Sequence, residues 1–247
     1  MSHALSGKVA VVTGGSKGIG RAICTALAAE GAAVVVNFAH DGGAAEELVR
    51  SIEAGGGRAL AVRMDISRPA GAAALFAAAR DGLGGTDILV CNAGVSAVLP
   101  LEQTSESEYE RIYGINVRGV LFLLKEAAQS LRDNGRIITL SSSVVASPRA
   151  GVALYASSKA AVKALTEVAA IELGPRGITA NCVLPGLVDT PMVKDMPAEY
   201  KKIVAGNSPF RRIGAPEDIA GIVTFLASDA ARWVTGQAIV ANGGARR

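Results

Sequence analysis

Two kinds of hydrophobic pattern alternate along the chain. Short runs rich in β-branched residues are separated by longer, alanine-rich segments in which apolar positions recur with helical spacing. Strands that are apolar throughout are typical of a parallel sheet covered on both faces. The seven strands predicted in this way are Lys8–Val12, Ala33–Asn37, Arg58–Arg63, Asp87–Cys91, Arg136–Leu140, Thr179–Leu184 and Gln237–Val240.

Helical segments separate these strands, and no internal repeat or low-complexity linker interrupts the alternation. The six segments are Ile19–Glu30, Ala44–Ala54, Pro69–Asp81, Ser107–Leu131, Val152–Leu173 and Pro216–Ala227. This order predicts an α/β fold with a doubly wound, Rossmann-type, mostly parallel seven-stranded sheet and helices on both faces. A chain of 247 residues can bury the core of one such domain, which we expect to span 1–247.

The longest stretch without a regular pattern runs from Pro185 to Pro209. It follows the carboxyl end of a predicted strand, and that edge is where open α/β sheets bind ligands. We interpret residues 185–209 as a flap that covers a substrate. The alternative is an ordinary surface excursion.

Composition narrows the kinds of chemistry that the chain can perform. The net charge is only +3 and is spread along the sequence, which argues against nucleic-acid binding. The two histidines are His3 and His40, and the three cysteines, Cys24, Cys91 and Cys182, lie far apart in apolar runs. These counts argue against a His-centred triad, a metal site and a CxxC redox site. Without a signal-peptide or membrane-spanning pattern, we expect a cytoplasmic protein with no membrane partner.

A glycine-rich turn directly follows the first predicted strand and opens the first helix. Glycines let the backbone approach a pyrophosphate closely, and a helix N-terminus offers unpaired N–H groups. Its spacing differs from the common GxGxxG form, and such turns also end strands for purely steric reasons. Its place in a strand, turn and helix unit favours dinucleotide binding. The expected cofactor-binding residues of this turn are Gly14, Ser16, Lys17, Gly18, Ile19 and Gly20.

Further residues follow two other strands at the same edge. Asp65 and Ile66 come after the third predicted strand, and Asn92-Ala93-Gly94 come after the fourth. Because the carboxyl ends of parallel strands share one edge of the sheet, we expect these residues to meet the adenine and the central part of the cofactor.

A serine, a tyrosine and a lysine are the candidate catalytic groups. Tyr155 and Lys159 lie four residues apart in a predicted helix, so their side chains project from one face. Ser142 follows the carboxyl end of the fifth predicted strand, on the ligand-binding edge. A neighbouring ammonium favours a phenolate, so Lys159 is expected to lower the pKa of Tyr155. In carbonyl reduction Tyr155 would donate a proton, Ser142 would hydrogen-bond the carbonyl oxygen, and a nicotinamide would supply the hydride. The alternative is a tyrosine that only packs at a helix flank.

Taken together, these residues resemble the classical short-chain dehydrogenase/reductase family over essentially the whole chain. The likeness extends to Asn116 in INVRG, YASSK at Tyr155–Lys159, Asn181, Pro185-Gly186, Thr190, Pro216-Glu217-Asp218 and Thr235-Gly236. The resemblance implies that Asn116 opens its helix and anchors a water in the proton relay. It also implies that Tyr155 and Lys159 contact the nicotinamide ribose side of the cofactor and that four more residues join the cofactor site: Pro185, Gly186, Val188 and Thr190. The chain departs from the usual family residues at Cys91, Ala146 and Ala241-Asn242-Gly243-Gly244, and none of these positions belongs to the catalytic group.

The resemblance implies an oxidoreductase that interconverts a carbonyl and an alcohol on a small molecule. The nearest likeness is to the 3-oxoacyl-acyl-carrier-protein reductases, which would make an acyl-carrier-protein thioester a candidate substrate. Arg176 occupies the position that contacts the carrier in such reductases, but this arginine discriminates little. Sugars, diketones and steroids are alternative substrates, and a nucleotide-binding regulator without turnover is the alternative from another class. We expect a mostly apolar pocket formed by Ser96, Ala97, Val98, Val144, Val145, Met192 and Met196.

Two long helical segments, Ser107–Leu131 and the alanine-rich Val152–Leu173, have apolar faces that could be buried between subunits. Together with the resemblance they favour a homotetramer. The alternative is that both faces belong to the core of one subunit.

The end of the second strand predicts NADP(H) in preference to NAD(H). NAD enzymes place an acidic residue there to bind the ribose 2′-hydroxyl, whereas this chain has Asn37. Lys17 can approach a 2′-phosphate with a compensating charge, and His40 can add a donor. The alternative is that Lys17 points into solvent.

Overall fold

The computed structural model describes residues 3–245, so the domain predicted over 1–247 extends beyond them at both ends. The strands are β1 Val9–Val12, β2 Ala33–Phe38, β3 Arg58–Arg63, β4 Ile88–Cys91, β5 Arg136–Leu140, β6 Thr179–Pro185 and β7 Ala238–Ala241. The helices are α1 Gly18–Ala29, α2 Gly42–Ala54, α3 Pro69–Leu83, α4 Glu106–Tyr113, α5 Val120–Ser130, α6 Ala153–Leu173, α7 Ala198–Asn207 and α8 Pro216–Ala227. All seven predicted strands are present, with bounds that differ by at most one residue at either end.

All seven strands pair in parallel, in the order β3-β2-β1-β4-β5-β6-β7. The chain winds outward from β1 to β3, crosses over to β4, and then winds outward in the opposite direction. The carboxyl ends of β1 and β4 therefore form the point at which the direction of winding reverses. Ligands of open α/β sheets bind in the crevice at such a point.

The sheet has an apolar core on each of its two faces. On one face, Ile23 of α1, Leu48 of α2 and Val223 of α8 pack against the strands. On the other, the corresponding layer contains Leu75 of α3 and Val162 of α6, together with α5. Because both faces are covered, the central strands β1, β4 and β5 are buried at every position, which explains the continuous apolar sequences of β1 and β4.

The segment Ser107–Leu131, predicted as one α-helix, is not uniformly α-helical. Between α4 and α5, residues Gly114–Gly119 form a π-helical stretch. Asn116 lies within it and is fully buried, with its side-chain amide directed away from the helix towards the loop after β4. Isolated π-helical turns of this kind are frequent at functional sites, because they re-aim one side chain within an otherwise regular helix.

The predicted flap, residues 185–209, is also more regular than its sequence pattern indicates. It contains a short 3₁₀ turn at Pro191–Val193 and the ten-residue helix α7. No residue of α7 is buried, so this helix lacks the apolar stripe from which a helix is recognised in sequence.

Within residues 3–245, no helix is long and apolar enough to cross a membrane. The same residues contain no group of three or more His, Cys, Asp or Glu side chains placed to hold a metal ion.

Candidate active site

The glycine-rich turn packs tightly against the end of β4. A Cβ atom added to Gly20 would lie 2.2 Å from the Gly14 carbonyl oxygen and 2.5 Å from Asn92 Nδ2. Gly14 itself has a φ of +61°, in the left-handed region that favours glycine. These two positions therefore accept only glycine without a shift of the backbone, and they keep the first turn of α1 open towards the cavity.

Asn92 joins this turn to β4. Its Nδ2 donates to the carbonyl oxygens of Thr13 and Gly14, at 2.9 and 3.1 Å. Thr13 Oγ1 accepts from the backbone N–H groups of Asn92 and Ala93, at 3.0 and 3.1 Å. Asn92, which the sequence predicts to contact the cofactor, lines the cavity, and its Nδ2 holds the glycine turn in shape.

Asn116 connects the π-helical stretch to two neighbouring elements. It exchanges a pair of hydrogen bonds with the backbone of Val95, each 2.9 Å long. Its Nδ2 also donates to Ser158 Oγ at 3.0 Å, and Ser158 donates in turn to the carbonyl oxygen of Tyr155 at 2.8 Å. The amide of Asn116 thus ties the loop after β4 to the helix that carries the candidate catalytic tyrosine.

Ser142, Tyr155 and Lys159 converge at the end of β5. The Lys159 ammonium donates to the Leu140 carbonyl oxygen at 2.8 Å and lies 5.9 Å from the centre of the Tyr155 ring. Gly94 closes this group from the β4 side, since a Cβ there would lie 3.1 Å from Lys159 Nζ and 3.2 Å from Asn116 Oδ1.

The pKa values of these groups differ from the expectation that Lys159 lowers the pKa of Tyr155. Burial raises the pKa of the Tyr155 phenol, and a hydrogen bond with Ser142 acts in the opposite direction. Burial also lowers the pKa of the Lys159 ammonium, to about 8. Burial outweighs the hydrogen bond with Ser142, so the phenol of Tyr155 stays protonated at neutral pH.

These residues face a cavity of about 710 Å³ at the carboxyl edge of the sheet. All but two of the predicted catalytic and cofactor-binding residues line the wall of this cavity. Those two are Asn116, which supports the wall from behind, and Ser16, which is buried in the glycine turn. The lining residues from the predicted set are Gly14, Lys17, Gly18, Ile19, Gly20, Asn37, Asp65, Ile66, Asn92, Ala93, Gly94, Ser142, Tyr155, Lys159, Pro185, Gly186, Val188 and Thr190.

At the end of the cavity next to the glycine turn, Asn37 and Lys17 are engaged within the protein, and His40 also lines the wall. Asn37 is buried, and its Nδ2 donates to the carbonyl oxygens of Val62 and Met64, at 3.2 and 3.0 Å. The Lys17 ammonium forms an ion pair with the Asp41 carboxylate. The charge of Lys17 is therefore already paired with Asp41, so a 2′-phosphate would not meet a free cation here. Asp41 belongs to the loop after β2, and the sequence alone did not show that this loop approaches the glycine turn.

The opposite end of the cavity is mostly apolar, as the sequence predicts. Ser96, Ala97, Val98, Val144, Met192 and Met196 line it, whereas Val145 instead packs against the core. Sequence reasoning missed Arg149 from the loop before α6 and Tyr200 from α7, which also line this end. Neither residue belongs to a motif or a periodic pattern, so only the folded chain reveals their position.

Comparison with known proteins gives a family match for nearly the whole chain. A family model described as "Enoyl-(Acyl carrier protein) reductase" matches residues 14–246. An uncharacterized oxidoreductase of Methylorubrum extorquens is 46% identical over 245 residues, which cover 98% of this chain and 99% of the relative. Versicolorin reductase 1 of Aspergillus parasiticus is 40% identical over 261 residues, which cover 100% of this chain and 99% of that enzyme.

Two similar solved structures contain a bound cofactor. A short-chain dehydrogenase from Burkholderia cenocepacia in complex with NADP superimposes with a TM-score of 0.93 and 36% identity, covering 98% of this chain and 99% of its own. The angucycline C-6 ketoreductase LanV with bound NADP superimposes with a TM-score of 0.94 and 36% identity. The match covers 99% of this chain and 98% of LanV.

Proposed function

The chain belongs to the short-chain dehydrogenase/reductase family of NAD(P)-dependent oxidoreductases, and from this premise we propose that it is an NADPH-dependent ketoreductase acting on a small-molecule ketone. The observation that carries the proposal is the convergence of Ser142, Tyr155 and Lys159 on one cavity, together with the glycine turn at its other end. Proximity of these three groups is the arrangement that carbonyl reduction without a metal requires.

The residues of the cavity fit a dinucleotide. At Gly14 and Gly20 a Cβ would crowd the protein's own backbone and Asn92, so the glycines let the turn pack closely against β4. The turn opens α1 at Gly18 on the cavity wall, where the first backbone N–H groups of the helix can meet a pyrophosphate. Tyr155 and Lys159 would hold the ribose next to the nicotinamide, with Val188 and Thr190 near its carboxamide. When bound, NADPH would supply the hydride that reduces the carbonyl carbon.

The side chains of the protein would manage the proton and the charge. Ser142 Oγ would hydrogen-bond the substrate carbonyl oxygen, and Tyr155 Oη would give that oxygen its proton, so the product is an alcohol. The raised pKa of Tyr155 keeps the phenol protonated at neutral pH, which is the form that reduction needs. The ammonium of Lys159 would then stabilise the phenolate that is left.

Two observations favour a free ketone over an acyl-carrier-protein thioester. The Arg176 guanidinium is occupied by Asp133, at 2.8 Å, and by the carbonyl oxygens of Ala128 and Leu131. It therefore serves to fasten the end of α5. In addition, two similar proteins are named for the reduction of versicolorin and of an angucycline ketone. Sugars, diketones and steroid ketones remain in the panel of substrates to be tested.

The test is NADPH oxidation by the purified enzyme with a panel of ketones, β-ketoacyl thioesters, sugars and steroid ketones. Tyr155→Phe removes only the hydroxyl, and we expect it to lower kcat by about 10²- to 10⁴-fold while NADPH binding persists. Tyr109→Phe is the matched control, because that partly exposed ring lies on α4 and stacks on Tyr113. Turnover by Tyr155→Phe at the wild-type rate would contradict the proposal. Absence of turnover with the whole panel would favour the nucleotide-binding regulator.

We further propose a homotetramer. Leu121 on α5, with Val168 and Ile171 on α6, exposes apolar side chains on the two helices that the sequence analysis singled out. Such faces are typical of surfaces that self-associate. Light scattering at micromolar concentration is the measurement, and a monomeric mass would contradict the proposal.

A cytoplasmic location is part of the same proposal. Cys24, Cys91 and Cys182 are all buried and unpaired, as is usual for proteins of reducing compartments. Cell fractionation tests this location.

A further inference from the structure

Arg149 is an exposed residue at the mouth of the apolar end of the cavity, in the loop between β5 and α6. Its Nη1 donates to Tyr200 Oη at 2.5 Å, and its guanidinium carbon lies 5.1 Å from the centre of the Tyr200 ring. Tyr200 belongs to α7 in the predicted flap, and both side chains line the cavity that contains Ser142 and Tyr155. The ring thus holds the guanidinium in one orientation at the end remote from the glycine turn.

The charge of Arg149 is not neutralised by the protein. The other charged groups on the cavity wall have partners: Lys17 pairs with Asp41, Asp65 lies 3.8 Å from Arg68, and Lys159 donates to a backbone carbonyl. Over residues 3–245, Arg149 takes part in no ion pair, and its one hydrogen bond goes to the hydroxyl group of Tyr200. Its Nε and Nη2 donors therefore remain available on the cavity wall.

A guanidinium is always charged, and its donors form a planar fork that matches the two oxygens of a carboxylate. The hydrogen bond and the cation–π contact with Tyr200 reduce the side-chain entropy that binding would otherwise cost. The neighbouring wall offers no competing anion, since Val98, Met192 and Met196 are apolar. A carboxylate that enters this end would meet a pre-oriented, unpaired cation in partly apolar surroundings.

We propose that Arg149, oriented by Tyr200, binds a carboxylate on the substrate, so that the enzyme prefers keto acids whose carboxylate lies away from the reacting carbonyl. This inference rests on the proposed ketoreductase function and names the substrate class for it. Arg149 is a specificity residue, because it touches the remote end of the substrate and not the atoms that react. The competing explanation is that the Arg149–Tyr200 contact only fastens α7 to the loop before α6.

Matched substrates separate the two explanations. We would compare 4-acetylbenzoate and 6-acetyl-2-naphthoate with their methyl esters, which have the same ketone and no charge. Arg149→Met should lower kcat/KM for the better acid by about 10- to 100-fold, mainly through KM, because the lost contact is present in ground and transition states alike. For the corresponding ester the change should stay within about twofold. Arg149→Lys, which keeps the charge without the fork, should fall between wild type and Arg149→Met for the acid.

Tyr200→Phe keeps the ring and removes the hydroxyl, and it should weaken the acid preference less than Arg149→Met does. Arg80→Met on α3 is the control, because that exposed arginine pairs with its neighbour Asp81 and does not line the cavity. Equal losses for acid and ester in Arg149→Met would show a fastening role and overturn the proposal. Equal kcat/KM of the wild type for acid and ester would also overturn it, and in that case the proposed ketoreductase function would still stand.

Binding to the enzyme in complex with NADP⁺ distinguishes this inference from the proposed function. Calorimetry would give Kd for the acid and the ester without turnover. If no ketone is reduced but the acid binds wild type at least tenfold more tightly than Arg149→Met, the carboxylate site stands and the reductase proposal fails. If Kd for the acid is the same in both proteins, the carboxylate site is refuted whatever the activity.

Discussion

The Lys17 ammonium is paired with the Asp41 carboxylate where the glycine turn meets the loop after β2. Asp41 has a second role, since it caps α2 by accepting from the backbone N–H of Ala44 at 3.2 Å. The hydrogen bond with Lys17 lowers the pKa of Asp41, so the carboxylate is charged at neutral pH. A ribose 2′-phosphate at this end of the cavity would have to share Lys17 with this carboxylate.

We therefore expect Asp41→Asn to strengthen the use of NADPH relative to NADH. Asparagine also caps helices well, so α2 should persist while the competing charge is removed. Because the pair is exposed, the ratio of kcat/KM for the two cofactors should rise by no more than about fivefold. Asp81→Asn on α3 is a control for general charge effects. An unchanged ratio would show that Asp41 and the phosphate do not compete.

The position of Asn37 decides a second prediction about the cofactor. A carboxylate at the end of β2 would repel a 2′-phosphate, so Asn37→Asp should erase or reverse an NADPH preference of about 10- to 100-fold. The same substitution should also destabilise the protein, because its carboxylate would face the carbonyl oxygens of Val62 and Met64, which now accept from Asn37. We expect a loss of about 1–3 kcal/mol in the free energy of unfolding.

Asn37→Ala separates these two effects, since it loses the hydrogen bonds without adding charge. It should be destabilised and yet keep its NADPH preference. Steady-state kinetics with both cofactors and urea unfolding check both variants, and an NADH preference in the wild type would contradict the assignment.

Buried Lys159 predicts how stability changes with pH. Its pKa is about 8 in the folded protein and 10.5 in its ordinary state. Between these values the unfolded chain binds more protons at this residue than the folded chain does. Stability therefore rises with pH through this window, as the cost of burying the charged form disappears.

Relative to Lys159→Met, the wild type should gain on the order of 2–3 kcal/mol between pH 8 and pH 10. Urea unfolding of both proteins at several pH values measures this difference. A difference that is independent of pH would mean that Lys159 is not titrating in this range. The same variant should weaken both turnover and cofactor binding, because Lys159 is proposed to act in both.

Crowding at Gly20 predicts a steric effect that the sequence motif alone does not quantify. Gly20→Ala would put a methyl group 2.2 Å from the Gly14 carbonyl oxygen, so the glycine turn must move. We expect a loss of several kcal/mol in stability, or at least a tenfold weaker affinity for NADPH in any protein that folds.

Gly221→Ala is the matched control, because a Cβ at Gly221, within α8, meets nothing within 4 Å. It should be neutral or stabilising by up to about 1 kcal/mol, since alanine is the better helix former. Thermal unfolding and fluorescence titration with NADPH compare the two variants. Equal behaviour of both would refute the tight packing of the turn.

The strands and most of the helices were predictable because their signals are local. A strand buried on both faces, such as β1, is apolar at nearly every position, and Tyr155 and Lys159 share a face because of helical spacing alone. Recognition of the family motifs then placed Asn116 among the functional residues, although nothing in its local pattern indicates a π-helical turn.

The sequence by itself thus determined the parallel sheet, the edge at which ligands bind, and the residue types that gather there. Only the tertiary structure decided which partner each charged or polar group takes. Lys17 meets Asp41 24 residues later, and Arg149 meets Tyr200 51 residues later. Such pairs follow from how loops of different elements approach one another in space, and hydrophobic periodicity, which reports only the face that each element buries, carries no information about them.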